Sequence, residues 1–340
     1  MKALDNPSIF WNTCHIFLDV HLKSIRQLSE KTIETYRSSL NIYIDYIETS
    51  LSIKRIDMTF QIMSKDNLKK FQAWMLTDKK LAAKTSNLRL TAIRSLLEYA
   101  SQEHIELMYL YANACSIKGT QTANHPIEYF EKDQLTALLK MPENASRIDK
   151  RNNMILIFLY DTAMRVCEAR NVKIKDIHFN ASNPYVHVIG KGRKHRNIPL
   201  MDRTIEHLKK YIQTYHGEKP DPDAPLFYSK IKGNIGELSD DTFEKIIKKH
   251  SEKACEANVE MPNDVHCHML RKTRAMDLYR SRVPLTHIQQ LLGHENISTT
   301  SGFYAFATLD MLAESLNKVC PDNNTRAWDD PEVMKEILRL

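Results

Sequence analysis

Residues 29–48 place Ile33, Tyr36, Leu40, Tyr43, Ile44 and Ile47 on one stripe, which predicts an amphipathic helix with Ser29 available as N-cap. Ser64 can cap a second helix carrying Leu68, Phe71 and Met75. A third spans about residues 84–100, with Leu88, Ala92, Leu96 and Tyr99 on one side and Lys84, Arg89 and Arg94 on the other. Apolar periodicity then fails over residues 113–127, which gather Gly, Thr, Asn and Pro and are expected to link two domains. A helix starts near Glu131, and the run Met154–Tyr160 reads as a buried helix leading to Arg165. Alternation in Tyr185-Val186-His187-Val188-Ile189, a Gly190-Lys191-Gly192 turn and the segment Arg196–Leu200 predict a β-hairpin. The remainder reads as helical. Near the end, Leu309, Leu312, Leu316 and Val319 form one stripe. A last short helix is signalled by Asp330 as cap, Pro331 in the first turn, and Val333, Met334, Ile337 and Leu338 on one face. Too short to persist alone, it has to bury that face somewhere.

At 340 residues the chain is long for one compact domain and comfortable for two. An apolar content of 42% with 26% charged residues fits an ordinary globular protein and argues against a disordered one. The net charge of +6 is compatible with a nucleic-acid partner without establishing it. Lysines and arginines recur through the first hundred residues (Lys23, Arg26, Lys54, Arg55, Lys69, Lys70, Lys79, Lys80). Each alone reads as solvated helix surface; only their accumulation hints at a phosphate backbone. The six cysteines (14, 115, 167, 255, 267 and 320) show no paired spacing, residues 1–7 carry no apolar signal core, and no stretch approaches a membrane span. The expectation is a cytoplasmic protein with reduced thiols. Cys267 lies between His266 and His268, but no second ligand pair stands at finger spacing, so no metal is expected.

The chemistry gathers in the second half. In Thr162-Ala163-Met164-Arg165-Val166-Cys167-Glu168, a planar guanidinium can grip two nonbridging phosphate oxygens, and Glu168 can orient it or form an ordinary i,i+3 pair. In Gly190-Lys191-Gly192-Arg193-Lys194-His195-Arg196, a lysine on a hairpin tip can reach out and donate a proton, with Lys194 a rival to Lys191. His268-Met-Leu-Arg271 supplies a second guanidinium with a histidine one helical turn away. The run Ile288-Gln-Gln-Leu-Leu-Gly-His294, with Tyr304 ten residues later, adds a further donor and a phenol. A lone tyrosine or histidine of this kind is ordinarily a packing residue. Taken in order, Arg165, Lys191, His268, Arg271, His294 and Tyr304 resemble the tyrosine recombinase (phage integrase) family. The resemblance is dense over residues 150–320 and looser over residues 10–112. Three positions depart from the family pattern: Ala163 stands for Gly, Lys272 replaces a second His, and Tyr304 comes ten residues after His294 where nine is usual. The segment Ala305-Phe306-Ala307-(x3)-Met311 resembles the stretch just after the family's tyrosine and anchors the match on Tyr304 rather than Tyr279.

The resemblance implies a mainly α protein of two domains. Residues 1–112 would form an N-terminal helical, SAM-like core-binding domain, 113–127 the linker, 128–320 a mixed α/β, mostly helical catalytic domain with a small β-hairpin sheet, and 321–340 a tail. It further implies a clamp around double-stranded DNA, four protomers on two sites, and exchange through a Holliday junction. Tyr304 would attack the phosphodiester with His268 as base and Lys191 as acid, while Arg165, Arg271 and His294 hold the phosphate. The product would be a 3′-phosphotyrosyl bond, made without metal, ATP or other cofactor. A site-specific recombinase, Xer-like or the integrase of a mobile element, is thus expected to integrate, excise or resolve DNA. No membrane or small-molecule substrate is expected. The alternatives are a type IB topoisomerase, which relaxes plasmids as a monomer, and a silent DNA-binding accessory factor, which has no need of Tyr304 or Lys191. The family also suggests that the last helix docks on a neighbouring protomer; folding back on its own domain is the alternative.

Overall fold

The computed structural model describes residues 3–122, 128–141, 144–190, 192, 194–231, 234–293, 331 and 335. The chain divides into two compact units, Met1–His125 and Pro126–Leu340.

The first unit is helical. Helix α1 (Pro7–His15) is capped by Asn6, whose side chain accepts from the amides of Ser8 and Ile9. It runs into a π-helical stretch, Ile16–Ile25. Periodicity alone assigns nothing before Ser29, yet Phe10, Cys14, Phe17, Leu18 and Leu22 are all buried there. Helix α2 (Glu30–Leu51) is capped by Ser29, which accepts from the Thr32 amide at 3.3 Å. Helix α3 (Lys65–Thr77) is capped in the same way by Ser64, and α4 (Ala83–Glu103) and α5 (Met108–Cys115) come next. The core is aromatic: Phe10 meets Phe60 edge-on at 5.2 Å, and Tyr43 meets Phe71 at 4.9 Å. The wholly buried Tyr43 hydroxyl donates to the Ile62 carbonyl at 2.5 Å, which removes the penalty of hiding a phenol. Arg94, grouped by sequence with Lys84 and Arg89, instead donates to the Ala114 and Ile117 carbonyls at 3.0 and 2.6 Å, closing the end of α5. Helix α5 reaches three residues into the stretch read as linker, and Asn87 holds Thr120 through both its amide and its carbonyl at 2.8 and 2.9 Å. Residues 113–120 are therefore fastened to the first unit, while 123–127 lie outside the described residues.

The second unit opens with α6 (Lys132–Leu139), α7 (Arg147–Thr162) and the five-residue α8 (Val166–Arg170). Strands β1 (Ile177–His178), β2 (Tyr185–Ile189) and β3 (His195–Pro199) form an antiparallel sheet in that order, with Val186 opposite Ile198. Val186, Val188 and Ile198 face the core, as the period-two pattern requires. Helix α9 (Asp202–His216) precedes a second hairpin, β4 (Tyr228–Ile231) and β5 (Asn234–Glu237). The wholly helical reading of this region is thus corrected. Tyr-Ser-Lys-Ile and Asn-Ile-Gly-Glu alternate too weakly to announce strands, and it is backbone pairing that makes them so. Helices α10 (Asp240–Glu256), α11 (His268–Arg280) and α12 (Leu285–Leu292) complete the unit. One core joins Phe158, Leu159, Val186, Ile198, Leu208, Phe243, Ile247 and Met269, so α7, the sheet, α9, α10 and α11 share a single packed interior. Among the described residues no helix is long and apolar enough to cross a membrane.

Candidate active site

Helix α7 ends where Ala163 turns left-handed at φ 50°. That conformation costs an L-residue roughly 1–2 kcal/mol. Burial of the Ala163 methyl among Ala275, Met276, Ile288 and Leu292 offsets roughly 0.8 kcal/mol of it, so the cost of the left-handed alanine is only partly compensated. The reversal sets Arg165 in extended backbone at the N-cap of α8. Glu168, one turn on, accepts from the Arg165 backbone amide and from its Nη1, both at 2.9 Å. Arg196 of β3 donates to the same carboxylate through Nη1 at 3.1 Å and Nη2 at 2.7 Å. Four donors thus meet the roughly four lone-pair sites of a carboxylate, the condition under which a buried charge is tolerable. Burial works against the charge on Glu168, but the bonds from Arg196 and Arg165 prevail and hold its pKa at about 2.

Arg271 lies one turn into α11 and is 3% exposed. Its Nη1 donates to the Ala163 carbonyl at 2.7 Å and its Nη2 to the Leu292 carbonyl at 2.5 Å. Both acceptors stand at helix C-termini, where carbonyls lack intrahelical partners and the macrodipole is negative. One guanidinium therefore ties the end of α7, two residues before Arg165, to the end of α12. Gly293 ends α12 in the left-handed region at φ 62°, and His294 is the next residue in the chain.

His268 opens α11, one turn before Arg271. The residue is exposed to solvent, yet the protein around it still takes water from the charged form, and the charges of Arg271, Lys272, His266 and Arg165 repel a proton. Its pKa is pushed down to about 4, so the imidazole is neutral at pH 7. Around these groups a second layer fixes the helices. Asp161 accepts from Arg274 Nη2 at 3.2 Å and from the Met201 amide at 3.3 Å, and the Tyr160 hydroxyl donates to Asp277 at 2.8 Å.

Of the six residues marked by sequence, Arg165, His268 and Arg271 are described; Arg271 reaches the turn that leads to Arg165, and the Arg165 charge is felt at His268. Lys191, His294 and Tyr304 lie outside the described residues, as do the tail stripes at 309–319 and 330–338 apart from Pro331 and Lys335. The backbone of the rival Lys194 is described: its carbonyl accepts from the Gly190 amide at 2.7 Å and closes the base of the hairpin turn. Sequence alone gives Arg196 no role. Its signal is the arginine four residues beyond Gly192, but its partner Glu168 lies 28 positions away.

Residues 128–309 match the phage integrase family, and residues 18–107 match the N-terminal SAM-like domain of phage integrases. The chain is 31% identical to tyrosine recombinase XerD of Staphylococcus epidermidis over 276 residues, covering 80% of this chain and 87% of that one. It is 26% identical to tyrosine recombinase XerC of Oceanobacillus iheyensis over 320 residues, covering 92% and 98%. In fold it is similar to the XerH site-specific recombinase bound to palindromic difH substrate in a post-cleavage complex, with a TM-score of 0.66 at 21% identity, covering 92% of this chain and 84% of that one.

The His268 ring is directly measurable. In the free protein its NMR titration is expected to have a midpoint near 4, well below the ordinary 6.5. As pH falls, the unfolded chain takes up this proton first, so the folded state loses stability on acidification from about 6.5 towards about 4. A midpoint at or above 6.5 would show that neither desolvation nor the cationic surroundings act on the ring.

Proposed function

The chain belongs to the phage integrase family of tyrosine recombinases, and from that membership we propose the part each site residue plays. The protein is a tyrosine recombinase, an enzyme of site-specific recombination that cleaves and rejoins DNA. A DNA phosphodiester is anionic and repels nucleophiles, and attack builds further charge on its nonbridging oxygens. Preorganised donors are therefore worth most in the transition state. We assign Arg165, Arg271 and His294 to those oxygens and Tyr304 to the attack on phosphorus. A phenol is a weak nucleophile near neutral pH. His268, neutral at pH 7, can take its proton, and its low proton affinity is offset once an anionic phosphate enters the cationic site. Lys191 donates a proton to the leaving 5′-oxygen, with Lys194 the competing donor. The 3′-phosphotyrosyl product keeps the phosphodiester energy, so the 5′-hydroxyl can reverse the step without ATP.

The observation that carries this assignment is the Arg271 bridge. It draws together the turn before Arg165 and the helix end before His294, two segments more than a hundred residues apart, beside a histidine kept neutral. The test is covalent trapping on a nicked suicide duplex. Wild-type protein is expected to give a protein–DNA adduct, and Tyr304→Phe to give none while still binding the duplex. An undiminished adduct in Tyr304→Phe would refute the nucleophile and direct the search to Tyr279.

We further propose that four copies of the chain act on two duplex sites in the cytoplasm, passing through a Holliday junction. The apolar stripes of the tail residues 309–319 and 330–338 support it, because they need a surface to cover them. Mass photometry on DNA carrying two sites is expected to count four protein copies. Efficient plasmid relaxation by a single copy without sequence preference would point to topoisomerase action instead.

A further inference from the structure

We propose that Arg196 is a positioning residue: by balancing the charge of Glu168, it keeps the Arg165 guanidinium available to the DNA phosphate. The proposal rests on the phosphate-gripping role assigned to Arg165 above.

Glu168 sits between two guanidiniums, with Arg165 Nη1 at 2.9 Å and Arg196 Nη2 at 2.7 Å. One negative and two positive charges leave the group at +1. The side chains of Glu168, Arg196 and Arg165 are 3%, 14% and 32% exposed, so the surplus charge that an incoming anion can reach is the one on Arg165. Arg196 gives both terminal nitrogens to the carboxylate in a two-pronged grip, whereas Arg165 gives one. The stronger counter-ion is therefore the more deeply buried one.

The fold also builds a seat for that guanidinium. A Cβ on Gly190 would lie 2.9 Å from Arg196 Nη1 and 3.2 Å from Glu168 Oε1. A Cβ on Gly293 would lie 3.0 Å from Arg196 Nη1 and 3.2 Å from its Cζ. Gly293 is left-handed and has a second reason to be glycine, but Gly190 is not in that region, and close approach of Arg196 accounts for it. Arg196 is thus fixed from both sides, which keeps it on Glu168 rather than on the DNA.

Remove Arg196, and Glu168 retains Arg165 as its one cationic partner among the described residues. The pair becomes neutral, and Arg165 is drawn towards the carboxylate and away from the phosphate. Displacement of a catalytic contact by about an ångström costs about 10²-fold in rate. The defect is one of charge, so removing the carboxylate's charge as well should repair it. A glutamine at 168 can still accept the Arg165 backbone amide.

The experiment is the single-turnover rate of covalent adduct formation on a nicked duplex, with binding of the same duplex measured alongside. Arg196→Gln is expected to slow cleavage about 10²-fold. The double variant Arg196→Gln/Glu168→Gln should regain at least about tenfold of that, and Arg196→Lys, which keeps the charge, should fall between. A double variant no faster than Arg196→Gln overturns the proposal. Should Arg196→Gln fail to fold, the comparison is made in the Glu168→Gln background. There, adding Arg196→Gln should cost less than about tenfold, and a loss of about 10²-fold overturns the proposal. Arg165→Gln is run in parallel. If it cleaves at the wild-type rate, the assignment of Arg165 falls, and that outcome is separate from any result at Arg196.

Discussion

The site is organised by one buried guanidinium holding the ends of two helices. Arg271 donates to Ala163 at the end of α7 and to Leu292 at the end of α12. Hydrogen bonds to charged groups contribute about 1.5–3 kcal/mol each, and an unpaired buried carbonyl costs about 1–3 kcal/mol. Both terms act at the same place, so the arginine and the two helix ends depend on one another. Two helix C-termini supply negative potential to that charge while leaving it a cation, because they carry only partial charges of about half an electron each. The contact also explains why left-handed residues stand where they do: Ala163 and Gly293 both turn the chain sharply where the carbonyls must face inward.

Glu168 contributes a second fixed point. Its four bonds tie α8, the N-cap at Arg165 and strand β3 into one unit, and its carboxyl stays ionised down to about pH 2. The two networks meet around Ala163 and Arg165, near neighbours in the chain, and again around Gly293, against which the Arg196 guanidinium packs. Hairpin, helix end and N-cap are consequently set by arginines from three different elements. Loops alone would not hold such geometry, which is why the chain uses helix termini and a strand.

Legibility in the sequence depends on range. Stripes such as Ile33, Leu40, Tyr43 and Ile47, caps such as Ser29 and Ser64, and alternation through Val186 and Val188 are local signals, and the helices and hairpin stand close to where these place them. The i,i+3 spacing of Arg165 and Glu168 also marks a bond that is present. Long-range partners are not legible. Nothing near Arg94 announces that it closes α5, and nothing near Arg196 names Glu168. The β4–β5 hairpin escapes a pattern-based reading because backbone pairing, not side-chain alternation, makes it a strand pair. Family resemblance marks Arg271 as important, but only the three-dimensional fold shows that it holds α7 to α12.

The mutual dependence of those two helix ends is open to direct measurement by amide hydrogen exchange in Arg271→Lys. A lysine keeps the charge, but its single ammonium cannot reproduce the planar two-pronged bond. The expected result is a joint loss of protection in segments 162–166 and 288–293, remote in sequence, with the β2–β3 hairpin and the first unit unchanged. Unaltered protection in both segments, or loss in one alone, would contradict the claim that Arg271 holds the site together.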